Sequence, residues 1–323
     1  VEAYTSDTSS YGIPFAGGVI GYVVDSDNDS ITFSPDMGSS SGDGSVLIFE
    51  SDVSVTSTQN GYGPVYAGGI FGYNAFDISG VEGTHAQFNL NDKAHSVTVV
   101  AEQSQSSGSD STSTLYDVSA GLVTSKLPAG YSFSYVDFTA HGTAHGSTVT
   151  ARRETGSSAV GDISAGSIAG KAVGDSSSFI SNVKVTLNNC SINALGNSFD
   201  SNNEDELNNN VYAGGIIGYV ANYGRNYQND ATYGLEYITL ELSVNDPSFY
   251  AVRAVQNATT EKININDNLP DDYKSEGYAG GMFGMLHYSA ARNLTIEGKG
   301  QDKPLIYFHG SNDPQTSCIG GIA

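Results

Sequence analysis

The chain repeats one glycine-centred motif seven times, which commits it to an array of similar units rather than to a set of unrelated elements. Four full copies read Phe15-Ala16-Gly17-Gly18-Val19-Ile20-Gly21-Tyr22, Tyr66-Ala67-Gly68-Gly69-Ile70-Phe71-Gly72-Tyr73, Tyr212-Ala213-Gly214-Gly215-Ile216-Ile217-Gly218-Tyr219 and Tyr278-Ala279-Gly280-Gly281-Met282-Phe283-Gly284-Met285. A shorter copy, Cys318-Ile319-Gly320-Gly321-Ile322-Ala323, closes the sequence. Two degenerate copies, Ser119-Ala120-Gly121-Leu122-Val123-Thr124 and Ser164-Ala165-Gly166-Ser167-Ile168-Ala169, fill the widest gap. Marked at positions 18, 69, 121, 166, 215, 281 and 321, the copies follow one another at steps of 51, 52, 45, 49, 66 and 40 residues. The motifs therefore occupy 15–22, 66–73, 118–125, 163–170, 212–219, 278–285 and 318–323 of one array covering 1–323.

Between motifs the sequence alternates apolar and polar residues with period two, the signature of half-buried strands. Ser45 to Phe49, Ser96 to Val100, Asn182 to Leu187 and Tyr237 to Leu242 are such stretches. Loops rich in Ser, Asn, Gly and Asp separate them, as at Gln103 to Ser113 and Asn202 to Asn210. No segment carries a sustained helical period. The expectation is an all-β chain, a right-handed parallel β-helix (a solenoid) of about seven units, with one coil and long loops per unit. Paired glycines suit its corners, because they permit tight backbone turns and close stacking of coils. One of the two aliphatic residues after them is expected to point inward, and the flanking Tyr or Phe to stack on its counterpart one coil away. A unit that cannot bury its own apolar face must stack on its neighbours.

The Ala-Gly-Gly-aliphatic pattern, carried by all seven copies, resembles the GLUG-type repeats of bacterial surface proteins and secreted proteases. The resemblance implies an extracellular, adhesin-like β-solenoid. These units, at about 50 residues, run longer than GLUG repeats.

Charge narrows the function classes. With 35 acidic against 13 basic residues the formal net charge is −22, which repels nucleic acid and anionic lipid. No apolar run is long enough to span a bilayer, so nucleic acid and membrane insertion are both excluded as expectations. An extracellular or cell-surface location fits the acidic, Ser- and Asn-rich surface. The sequence opens at Val1 and stops inside a motif, so a segment of a longer array is expected, or a chain that self-associates end to end or laterally through its terminal coils. Cys190 and Cys318 fall in units about three coils apart, on the order of 14 Å at ~4.8 Å per coil, too far for a mutual disulfide.

Chemistry-bearing candidates are few. Asp25, Asp27 and Asp29, with Asp36 at the twelfth position, place oxygen ligands at alternate positions as calcium loops do. Calcium is the one cofactor expected, if any is bound. His141 and His145 have a spacing that holds zinc on a helix, but their glycine-rich setting reads as exposed loop. Asp271-Asp272 and His309-Gly310 resemble the acidic pair and His-Gly of polygalacturonase-like enzymes, yet no Arg-X-Lys element follows. The motif-edge tyrosines Tyr22, Tyr66, Tyr73, Tyr212 and Tyr219 suit stacking in the core or at corners, with a sugar-binding face as the alternative. Asn28, Asn189, Asn257 and Asn293 open N-X-Ser/Thr sequons. The residues on which the repeat geometry of this reading rests are the glycine pairs Gly17-Gly18, Gly68-Gly69, Gly214-Gly215, Gly280-Gly281 and Gly320-Gly321. The resulting expectation is a non-enzymatic structural or adhesive repeat protein, part of a surface stalk, adhesin or filament, whose partners are itself, further repeats or a surface carbohydrate. The alternative is a carbohydrate-active β-helix enzyme (a polysaccharide lyase or glycosidase) or a carbohydrate-binding module.

Overall fold

Every unit lays down its strands in the same order, and each strand pairs in parallel with its counterpart one unit along. The computed structural model describes residues 1–5, 13–24, 32–33, 45–60, 63–80, 85–104, 116–143, 146–153, 161–175, 177–196, 210–223, 234–244, 251–255, 277–300, 306–309 and 317–322. All regular structure among them is β-strand, and every pairing is parallel.

The motif itself forms the first sheet, here the arch sheet. Its seven strands are Phe15–Gly17, Val65–Gly68, Val118–Gly121, Ile163–Gly166, Val211–Gly214, Gly277–Gly280 and Ser317–Gly320. The chain then turns back into a fold-back sheet of Thr124–Leu127, Ala169–Val173, Ile217–Ala221 and Phe283–His287. Next comes the long sheet, whose main path is Ser45–Phe49, Ala86–Asn91, Phe133–His141, Ile180–Asn188, Leu235–Val244 and Ala291–Gly300. A closing sheet of Glu2–Thr5, Val53–Gln59, Val97–Gln103, Ser147–Arg153, Cys190–Leu195, Val252–Val255 and Ile306–His309 returns the chain to the next motif. One unit thus supplies one strand to each main sheet, and the stretches expected to be strands lie within or across observed ones.

Period-two alternation explains the core. On the long sheet the inward ladder runs Phe88, Phe138, Val185, Leu240, Ile296. On the closing sheet it runs Val55, Val99, Val149, Ile192, Val252, each fully buried. Each such side chain contributes ~1.5–3 kcal/mol by leaving water. Most intervening residues of both sheets are polar, such as Asp137, Thr139, Lys184, Thr186, Thr98 and Thr148, with Leu47 and Val100 as apolar exceptions. Contrary to expectation, both apolar residues after the glycines are buried in the inner units: Ile70 and Phe71 are 2% and 1% exposed, and Ile216 and Ile217 are 0%, while Val19 and Ile20 of the first unit are exposed.

The glycines permit the close stacking expected of them, since a Cβ on Gly18, Gly69, Gly215 or Gly281 would lie 2.0–2.2 Å from a carbonyl oxygen of the next unit, but not by the expected special backbone conformations. None of the motif glycines has positive φ; close approach is what excludes a side chain. A Cβ on Gly17, Gly68, Gly121, Gly166 or Gly214 would lie 1.7–2.2 Å from the carbonyl oxygen three residues ahead in the same unit, at the bend of the arch. The third glycine meets the motif strand from the other side, since a Cβ on Gly218 would stand 2.7 Å from Ala165 N and from Tyr212 O. The arch sheet and fold-back sheet thus touch backbone to backbone. The pairing also corrects the marker position in the degenerate copies. Gly121 pairs with Gly68 and with Gly166, so both belong to the column of the first glycine, and Leu122 and Ser167 stand where other units have the second. Ser167 Oγ uses its place to donate to Gly215 O at 2.6 Å.

Two irregular columns shape the bends. Tyr135, Asn182, Tyr237 and Asn293 all have φ of 51–54° and interrupt the long-sheet pairing at the same place in four successive units. Each faces its equivalent in the next unit and the register is the same on both sides of it, so they form a stacked column of left-handed kinks. At the turn from long to closing sheet, Asn91 donates to His141 O at 2.7 Å and accepts from His141 N at 3.0 Å, and Asn188 and Ser243 continue the column at 3.2 and 2.9 Å. At the end of the closing sheet lies a buried polar ladder of Gln59, Gln103 and Arg153, in which Arg153 donates to Gln103 Oε1 at 2.8 Å and to Tyr116 O at 2.6 Å.

Candidate functional site

Because the arch closes tightly, the residues at its two ends come side by side. In three units both are aromatic: the rings of Phe15 and Tyr22 lie 4.6 Å apart, those of Tyr66 and Tyr73 6.1 Å, and those of Tyr212 and Tyr219 5.0 Å. Strand pairing then stacks each end on its equivalent, Phe15 on Tyr66 at 5.3 Å, Tyr22 on Tyr73 at 5.4 Å and Tyr212 on Tyr278 at 5.6 Å. Two parallel files of rings result. Burial, then neighbouring Tyr22 and Tyr131, raises the Tyr73 pKa; burial and then Asp117 raise that of Tyr66.

In the two degenerate units both files change character. Ser119 and Ser164 replace the first ring, and Lys126 and Lys171 the second. The serines are fully buried and knit the arch with hydroxyls: Ser119 Oγ donates to Ser125 O at 2.7 Å, Ser164 Oγ to Ser119 Oγ at 3.2 Å, and Ser125 Oγ to Gly72 O. The lysines fill the space that rings would take. Lys126 Nζ lies 5.8 Å from the centre of the Tyr66 ring and Lys171 Nζ 5.2 Å from that of Tyr219, within reach of the ring quadrupole.

Lys171 is also clamped. Its Nζ lies 2.8 Å from Asp117 Oδ2 and 2.8 Å from Asp162 Oδ2, with side chains 11%, 18% and 19% exposed. Burial pushes the ammonium pKa down, but Asp117 and Asp162 outweigh it and hold it above the ordinary lysine value. Lys126 goes the other way: burial lowers its pKa and Lys171 adds to that, against attraction from Asp117. Asp162 Oδ1 is tied in turn by Asn210 Nδ2 at 3.2 Å. Continuing along the file, Tyr219 OH meets His287 Nδ1 at 3.2 Å.

The arrangement decides what the files can do. Sugar stacking requires a free ring face, and along these files the faces lie against neighbouring rings or lysines. Tyr22, at 54% exposure, is the most open of them. The Lys171 clamp, by contrast, combines an amine and two carboxylates in a confined space. Among the described residues no three His, Cys, Asp or Glu side chains gather as a metal site would need.

Of the residues singled out from sequence, the glycine pairs are brought together in the stacked arches. Asp25, Asp27, Asp29, Asp36, Asn28, Asn257, His145, Asp271 and Asp272 lie outside the described residues. His141 ends a long-sheet strand and is half-buried, so it is a turn residue tied to Asn91 and not an exposed loop histidine. Asn189 is buried at φ 56° with its amide donated to Thr143 O, whereas Asn293 is exposed. Cys190 is buried and free; Cys318 stands in the arch sheet opposite Tyr278. Sequence reasoning missed Asp117, Asp162, Lys126 and Lys171. Their signal was present: both degenerate units read Asp, aliphatic, Ser-Ala-Gly and then Lys five residues on, at Asp117 to Lys126 and Asp162 to Lys171.

Comparison with known proteins returns no matching family model, no matching curated protein and no matching solved structure.

Proposed function

We infer that this chain is a single right-handed parallel β-helix array serving as an extracellular structural or adhesive element, part of a surface stalk, adhesin or filament. The observation that supports it most is the unbroken pairing of the Ala-Gly strands from one unit to the next, Phe15 to Ser317. Parallel strands joined by a crossover in one sheet are right-handed in almost all proteins, which favours that hand here. Stacked units with a continuous core make a stiff scaffold, and the GLUG-type resemblance of the motif supports a surface role. The net charge of −22 suits a hydrated exterior. The partner in this reading is another such array, in the same chain or in a second copy, joined strand edge to strand edge.

Electron microscopy and light scattering of the native protein test this reading. Filaments, or ordered end-to-end oligomers, are expected at high protein concentration. Dispersed single particles of one chain's mass that also turn over a uronic-acid polymer would overturn it in favour of an enzyme.

A further inference from the structure

Lys171, Asp117 and Asp162 come from two successive units and meet beside the Tyr219 ring. One ammonium between two carboxylates leaves a net charge of −1 in a site largely withdrawn from water. The same number of protons can be held as a neutral amine, a neutral carboxylic acid and one carboxylate. Passing one proton from Nζ to Asp117 along their 2.8 Å hydrogen bond reaches that arrangement. It also puts a nucleophile against an electrophile at contact distance, which removes most of the entropic barrier to their reaction.

We propose that Lys171 and Asp117 condense to an intramolecular amide that joins the third unit to the fourth, with Asp162 carrying the proton. Lys171 Nζ attacks Cγ of the Asp117 carboxylic acid and the N–C bond forms. Asp162 takes a proton from Nζ and delivers it to the departing hydroxyl, the C–O bond breaks, and water leaves. Nothing is oxidised or reduced and no cofactor takes part. The roles follow from the neighbours. Asn210 donates to Asp162 Oδ1 at 3.2 Å and so holds that carboxylate with its other oxygen on Lys171 Nζ. Lys126 is paired along the strand with Lys171 and draws on Asp117, so its charge offsets the oxyanion that develops there. The amide would close a loop over a separation of 54 residues, restricting the unfolded chain as a disulfide does. The inference goes beyond the proposed surface role and does not depend on it.

Intact-mass measurement of the native protein under denaturing conditions tests it. The expected mass is one water below the sum of the residues, and a protease digest should contain a branched peptide linking Lys171 to Asp117. Lys171→Arg keeps a cation between the carboxylates but removes the nucleophile, and should restore the full mass. Asp117→Asn should lose ammonia in place of water. The full residue-sum mass after prolonged incubation of the folded protein overturns the proposal and leaves a permanent ion pair. A water loss that maps to one linear peptide is a succinimide and overturns it equally. A branch through Asp162 overturns the assignment of Asp117 as the electrophile. Should the variants fail to fold, the peptide map of the unsubstituted protein still decides.

Discussion

Gly68 stands so close to Phe71 that a Cβ on it would lie 1.7 Å from the Phe71 carbonyl oxygen. Backbone on both sides of the arch fixes that distance, so no side chain can rotate away to relieve it. Gly68→Ala should therefore cost about 3 kcal/mol or more, as severe overpacking does. Gly321, where an added Cβ would meet nothing within 4 Å, is the control. Gly321→Ala should stay within about 0.5 kcal/mol. Urea unfolding midpoints of the two variants measure the difference.

Ile70 and Ile216 give a second test, because both are buried while Val19, at the matching place in the first unit, is 56% exposed. Ile70→Asp or Ile216→Asp buries a carboxylate without a partner and should cost several kcal/mol, about 3–5. Val19→Asp should cost about 0.5 kcal/mol or less. Equal melting temperatures for Ile216→Asp and the parent protein would show that the motif faces solvent.

Cys190 makes stability depend on pH. Burial pushes its thiol from 9.0 up to about 12, against a smaller opposing pull from the Asn188 backbone. Within that window the unfolded chain has released a proton that the folded chain still holds. The unfolded state then binds fewer protons, so stability falls as pH rises, by at most about 1.4 kcal/mol per pH unit from this group. In a Cys318→Ser background, Cys190→Ala should flatten the decline measured by urea unfolding on either side of pH 9.0. The raised tyrosines Tyr66 and Tyr223 act in the same direction in both proteins and cancel in the comparison.

The column of left-handed kinks offers a fourth test. Asn182 has φ 54°, a conformation that Asn tolerates and β-branched residues resist. Asn182→Val should cost about 1–3 kcal/mol and Asn182→Gly close to nothing. Thermal melts of the two variants check both.

These tests also mark what the sequence could and could not reveal. The strand Ser45–Phe49 was legible to the residue, because a short apolar run there is bounded by polar residues. The arch was legible as a glycine motif, but its mechanism was not. Sequence shows that a side chain is missing at Gly68, and only packing shows that a carbonyl oxygen takes its place. Leu122 and Ser167 hid the phase of the degenerate units, since alignment by glycine count slid them one position. The kinks were half-written: Asn182 and Asn293 hint at positive φ, while Tyr135 and Tyr237, bound to the same geometry by stacking, carry no such hint. The Lys171 clamp joins Asp162, 9 positions away across its own arch, and Asp117, 54 positions away in the preceding unit. The shared Asp-to-Lys pattern marks these residues, but the meeting with Asp117 arises only when the two units stack.

Units two and five are nearly the same to a strand seeking a partner: Val65-Tyr66-Ala67-Gly68-Gly69-Ile70 and Val211-Tyr212-Ala213-Gly214-Gly215-Ile216 differ at no position. A folding chain could skip the units between them and stack Tyr66 directly on Tyr212, looping out the rest, a misassembly to which repetitive chains are prone. The serine–lysine units oppose that error. Lys171 finds Asp117 on one neighbouring strand and Asp162 on its own unit's strand only when units three and four stack in sequence order. Out of order, the lysine keeps Asp162 of its own unit but loses Asp117. The two least regular motifs thus act as an address within an otherwise self-similar chain, telling each unit which neighbour is its own.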